Sequence, residues 1–224
     1  MFRGELPFPF DVVARTARHY GVAESWVLEG GGAPYAQHRP PHRDAGDLFR
    51  ELIGKPPEEV SNMKFHVVLE DAGRGEATIF EECSDWRWNL IATGIPVHND
   101  VGGGGESMLA DLALFLAAAD FRLVSYRCPQ GYVCAPDDYR KIVSGDLHPV
   151  RVRLDGKYSH WVNDLWDIDY SGATNYSRSY SGARERLRER WAATDVTRGS
   201  TERITSNQLL RRHIEEGIAA RRHA

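Results

Sequence analysis

Cysteine is scarce. Cys83, Cys128 and Cys134 are the three in 224 residues. An odd and small number argues against a disulfide framework and for a reducing compartment. Long apolar runs are also lacking. The longest, "MLADLALFLAAADF" at 108–121, is punctuated by Asp111 and Asp120. It falls short of the roughly 20 apolar residues that a membrane helix needs, so it reads as a core helix. The opening "MFRGELPFPF" has no apolar stretch of signal-peptide length before Pro7 and Pro9. The expectation is an unprocessed protein, cytoplasmic or otherwise intracellular, with no membrane partner. No internal repeat or low-complexity tract is present, which sets aside repeat arrays. Lysine is missing from "VGGGGES" (101–107), so this glycine run is not a P-loop. It reads as a flexible turn at Gly102–Gly105 before a helix over 107–119, with Glu106 well placed in the first turn.

Lysine is absent again from the C-terminal quarter, and here the absence carries information. Residues 178–224 hold eleven Arg and six Asp or Glu, a net +5. The first 177 residues hold seventeen basic and twenty-six acidic side chains, a net −9. A basic arm on an acidic body is the clearest global signal in the chain. Guanidinium forks bind carboxylates or phosphates through paired hydrogen bonds, so such an arm suits its own body, a neighbouring copy or nucleic acid. A pI near 6.1 makes nucleic acid the weakest of the three.

What is present is an ordinary globular composition, 42% hydrophobic and 27% charged, in a chain long enough to bury a full core. The spacing predicts a helix from Phe10 to Tyr20 stopped by Gly21, and a Gly/Pro-rich loop over 30–46. A short helix "AGDLFRELIG" follows, with Asp47 as its cap. "KFHVVLED" is strand-like. "EATIFEEC" and "WRWNLIATG" flank the polar pair "SD" as a hairpin. "FRLVSYR" and "GYVCA" read as strands, "DDYRKIV" as a brief helix capped by an Asp, and "HPVRVRLDGKYSHWV" as a further hairpin around "DG". Trp86, Trp88, Trp161 and Trp166 read as core and edge packing. The predicted fold class is therefore α+β: a largely antiparallel sheet with helices packed on one side, plus a C-terminal helical arm. The domain reading is an acidic body over 1–166, a polar linker over 167–180 and a basic arm over 181–224.

Three constellations carry candidate chemistry. "DIDYSGATNYSR" (167–178) begins like a calcium loop, with Asp167, Asp169, Ser171 and Asn175 as oxygen ligands for Ca2+. Its twelfth position is Arg178 where a bidentate glutamate belongs, so a polar turn is the competing reading. "VHND" supplies His98 and Asp100, with His148, Arg151 and Arg153 further on. This set resembles the facial triad of the iron- and 2-oxoglutarate-dependent oxygenases. The resemblance implies Fe(II) on His98, Asp100 and His148, with Arg151 holding a cosubstrate acid. That family's barrel needs strands where this sequence shows a long apolar helix. "ARHYGVAESWV" (17–27) resembles the helix-turn-helix core of transposase-type DNA-binding domains, which implies contacts from Arg18 and Ser25. Cys83, Cys128 and Cys134 lack zinc spacing and read as small packed side chains.

The arm has two thin apolar stripes: Ala183, Leu187 and Trp191, then Leu210, Ile214 and Ile218 behind a capping-box start at Thr205. Arg184, Arg188, Arg211 and Arg212 flank them. Such stripes need a surface to lie on. The leading expectation is a non-catalytic binding or assembly protein that needs no cofactor. It would dock this arm on itself or on another protein subunit, as a component of a larger particle such as a viral one.

Overall fold

The structure, a computed structural model, describes residues 9–35, 44–54, 59, 62–122, 129–155, 157–166 and 178–196. The chain enters through α1 (Phe10–Tyr20), which ends where expected: Gly21 takes the left-handed conformation, φ 64°, that closes a helix. A six-residue α2 (Glu24–Glu29) follows and stops at Gly30. The cap of α3 (Ala45–Gly54) is Asp44 and not Asp47. Asp44 Oδ1 accepts the Asp47 amide at 2.7 Å while Asp47 Oδ2 accepts the Asp44 amide at 3.4 Å. Asp47 is thus the returning half of a capping box, three residues after the cap.

The sheet is built from β1 (Phe65–Glu70), β2 (Glu76–Ser84), β3 (Arg87–Pro96), β4 (Gln130–Cys134) and β5 (Lys157–Ser159). Its order is β3-β2-β1-β4-β5, with β1 and β4 parallel and every other pair antiparallel. β1 is central and buried on both faces, which is why "FHVVLE" runs apolar without alternating. The β2–β3 hairpin forms as predicted, with Ser84 opposite Arg87, so Asp85 and Trp86 make its turn.

The crossover from β3 to β4 begins with α4 (Gly103–Arg122). It starts inside the glycine run, which is not the flexible turn expected. A Cβ on Gly105 would lie 2.9 Å from Val101, so the glycine serves close packing within the first turn. Leu109 through Ala119 are buried on every side except at Asp111, as a helix enclosed between a sheet and other helices requires.

The second half departs most from expectation. α5 (Pro136–Ser144) starts at a proline with Ala135 before it and no side-chain cap. The hairpin expected over 148–162 is not among the described residues: α6 (Val150–Asp155), β5 and α7 (Trp161–Trp166) stand there instead. The alternation of Val150, Val152 and Leu154 misleads because only Val152 is buried, while Arg151 and Asp155 pair one helical turn apart. β5 finds its partner in β4, with Gly131 opposite Ser159. Phe121 and Arg122 end α4 and do not begin a strand; the rest of "FRLVSYR" lies outside the described residues.

α8 (Arg178–Val196) completes the described chain. Its Tyr180, Ala183 and Leu187 join one face of the sheet, Phe65, Val67, Leu69 and Ile79, together with α3, α4 and α7 in a single core. The larger helices thus gather on one face as predicted. The other face, with Val68, Phe80, Trp88 and Tyr132, is covered by Tyr139 and Ile142 of α5 and Val152 of α6.

Candidate functional site

The structure does not bring the oxygenase-like residues together. His98 follows the end of β3, and Asp100 pairs with Arg74. His148 sits at the opposite end of that strand: its Nε2 is 3.0 Å from the Trp86 carbonyl, just ahead of β3. Ten residues of strand span about 30 Å. Both His148 ring nitrogens are occupied, since the Val150 amide donates to Nδ1 at 3.0 Å and Nε2–H donates to Trp86 O. Burial lowers the His148 pKa, with the Trp86 carbonyl opposing, so the neutral form holds both bonds. Arg151 is exposed and paired with Asp155. Among the described residues no three His, Cys, Asp or Glu side chains cluster for a metal. The calcium-loop ligands Asp167, Asp169, Ser171 and Asn175 lie outside the described residues, as does Cys128. Cys83 is exposed, its sulfur accepting from Asn89 Nδ2, and Cys134 is buried on β4.

The arm divides. Leu187, expected at a partner, is 1% exposed in the chain's own core, and Ala183 is fully buried. Arg184 is half-buried, Arg188 exposed, and Trp191 falls in the later turns of α8. Arg186 and Arg190 reach Glu106 at 4.0 and 3.8 Å, so the acidic surface they meet is the body's own. Leu210, Ile214, Ile218, Arg211 and Arg212 lie outside the described residues.

Two features escaped sequence reasoning. The first is a charged cluster around a buried His66–Glu82 pair, on the face covered by α5 and α6. His66 of β1 and Glu82 of β2 meet at 2.7 Å, with side chains 3% and 5% exposed. Arg153 of α6 and Lys64 approach the same carboxylate at 3.4 and 3.6 Å. The imidazole stacks on Trp88 with centroids 3.9 Å apart. Burial pushes the His66 pKa down to about 4, although Glu82 opposes the fall. A neutral imidazole held by a carboxylate is half of a general-base arrangement, and among the described residues no hydroxyl or thiol is bonded to it. Through Glu82 and Arg153 it ties α6 to the sheet.

The second is a cavity of about 670 Å3 between the α1–α2 hairpin and the start of β3. Gly21 makes it possible. A Cβ there would lie 2.9 Å from the Trp86 carbonyl oxygen and 3.3 Å from Arg87 Cα, so only glycine lets α1 settle on the hairpin turn. Arg18 and Ser25, the residues singled out for DNA contact, both line this cavity, opposite Arg87 and Asn89 of β3. Trp26 and Leu28 of α2 are 39% and 50% exposed, and Trp86 is 55% exposed, so it does not pack as predicted. Trp88, Trp161 and Trp166 are buried.

Comparison of the chain with protein-family models, with curated proteins and with solved structures returned no match. Among the described residues no helix is long and apolar enough to cross a membrane.

Proposed function

We propose that this chain is a non-catalytic binding or assembly protein whose terminal segment, residues 197–224, docks on an acidic surface of a second copy or of another subunit. The supporting observation is the behaviour of α8. It is a thin apolar stripe flanked by arginines, and it lies on the body with Leu187 in the core and Arg186 and Arg190 turned toward Glu106. Residues 205–222 carry the same design, with Leu210, Ile214 and Ile218 as the stripe and Arg211, Arg212, Arg221 and Arg222 beside it. A second stripe of this kind gains order in the same way, from a partner of opposite charge.

The test compares solution mass for the full chain and for a version ending at Val196. Truncation at Ser177 is unsuitable because it also strips Tyr180, Ala183 and Leu187 from the core. The proposal expects the full chain to self-associate, or to co-purify with a stoichiometric acidic subunit, and the 1–196 chain to be a monomer of equal stability. Identical mass and identical partners for both versions refute it.

A further inference from the structure

The described arginine side chains are almost all matched within the chain. Arg15, Arg50, Arg74, Arg140, Arg151, Arg153, Arg186 and Arg190 each pair with a carboxylate, and Arg184 and Arg188 are also engaged. Among the arginines whose side chains are described, Arg18 and Arg87 are the exceptions, with no side-chain hydrogen bond or ion pair to another described residue. Both line the same cavity, although one comes from α1 and the other from β3. Among the described residues of an acidic chain, two guanidinium groups on the walls of one concave space have no carboxylate matched to them.

We infer that this cavity binds a small organic anion carrying two negative charges, a dicarboxylate or a phosphate monoester. Three properties of the wall carry the inference. Two guanidinium forks present paired donors, the geometry that carboxylate and phosphate oxygens accept in bidentate fashion. The Asn89 amide and the Ser25 hydroxyl add neutral polar groups for orientation. Ala17, Val22, Ala23 and Ala33 supply the apolar lining. Glu24 is the one carboxylate on the wall among the described residues. It accepts a hydrogen bond from a hydroxyl or amino group of the same ligand, and one carboxylate against two guanidiniums leaves the wall net positive. About 670 Å3 lies within the range of small-molecule sites. Arg18 and Ser25, taken as DNA contacts on the sequence, are thereby assigned to a pocket too small to admit a duplex.

The site is rigid where it needs to be. Gly21 fixes the end of α1 against the carbonyl of Trp86, directly before Arg87, so the two arginines are held by packed backbone and not by a long loop. Asn89 is oriented by its hydrogen bond to the Cys83 sulfur at 3.0 Å. Such pre-organisation limits the ordering entropy lost on binding.

The experiment measures thermal unfolding of the full chain with succinate, L-malate or glycerol 3-phosphate, each at matched ionic strength against sodium chloride. At about 10 mM probe and a dissociation constant near 0.1 mM, Tm is expected to rise by about 5–10 °C. Dicarboxylate and phosphate arms tell which headgroup is preferred. Arg18→Gln and Arg87→Gln each weaken binding about tenfold or more, while Arg15→Gln, next to Asp11 and outside the cavity, leaves it unchanged. Both cavity arginines are surface groups, so these variants fold. The inference is overturned by no shift beyond sodium chloride with any probe, or by a shift that survives both glutamine variants. A shift confined to a DNA duplex also overturns it.

Discussion

Leu187→Ala separates two accounts of how the basic arm is held. Leu187 is 1% exposed among α4, α7 and the sheet, and Tyr180 on the preceding turns is 3% exposed with its hydroxyl donating to the Trp161 carbonyl at 3.0 Å. Removing a leucine side chain from such a place costs about 2–5 kcal/mol. The competing term is electrostatic. Arg186 and Arg190 stand 3.8–4.0 Å from Glu106, with side chains 30–42% exposed, and pairs of that kind contribute about 0–1 kcal/mol. Packing therefore wins by a wide margin, even though charge is what singles out the arm in the sequence. Urea unfolding followed by tryptophan fluorescence should show Leu187→Ala less stable by about 3 kcal/mol, and thermal unfolding a Tm about 6–12 °C lower. Glu185→Ala, exposed on the same helix, should change stability by less than about 0.5 kcal/mol. Raising sodium chloride to about 1 M screens the Glu106 pairs and should leave α8 in place. A silent Leu187→Ala, or an α8 released by salt alone, would refute this placement of the helix.

Two further outcomes follow from the buried imidazoles. The His66 pKa is lowered from 6.5 to about 4, so the unfolded chain binds a proton there that the folded chain refuses. Its stability contribution is complete above pH 6.5 and is lost as pH falls to about 4, roughly 3 kcal/mol in all. A His66→Gln variant should flatten that part of the stability–pH curve, and an imidazole titrating near 6.5 by NMR would contradict the burial. His148→Ala leaves the Trp86 carbonyl and the Val150 amide without their side-chain partner and should destabilise by about 1–3 kcal/mol in urea, whereas a variant as stable as the parent would show that neither bond matters.

Local pattern was legible and cross-chain pairing was not. Phe10–Tyr20 with Gly21 as its stop, the β2–β3 hairpin and the core helix through Leu109–Ala119 all follow from periodicity and punctuation, which act over a few residues. The helix over Val150–Asp155 defeats the same reasoning. Its period-2 apolar residues belong to a segment with a single buried side chain, so alternation carried no information about burial. His66 and Glu82 meet because two strands pair in one register, placing Phe65 opposite Glu81. That register is a product of the whole sheet. The oxygenase-like set failed for the mirror reason: His98, Asp100 and His148 suit a metal as residue types, yet β3 holds them apart. Arg18 was expected at a DNA contact on the sequence, and the folded chain places it on the same cavity wall as Arg87, which comes from a different element.

The β2–β3 turn is the point at which these threads meet. On one side the Trp86 carbonyl accepts the His148 Nε2–H, and the His148 ring in turn packs edge-on against Tyr35 at 4.7 Å, while the Tyr35 amide donates to the Gly145 carbonyl at 2.9 Å. On the other side Gly21 rests on that same carbonyl and brings α1 to the cavity. β3 is an edge strand, whose open backbone invites unwanted pairing. Seating the N-terminal hairpin and the α5–α6 connection on its first residues blunts that edge. It also shapes a concave wall to which both parts contribute. A single two-residue turn thereby joins protection of the sheet edge to the shaping of the cavity: the Trp86 carbonyl holds both neighbours while its side chain stays 55% exposed.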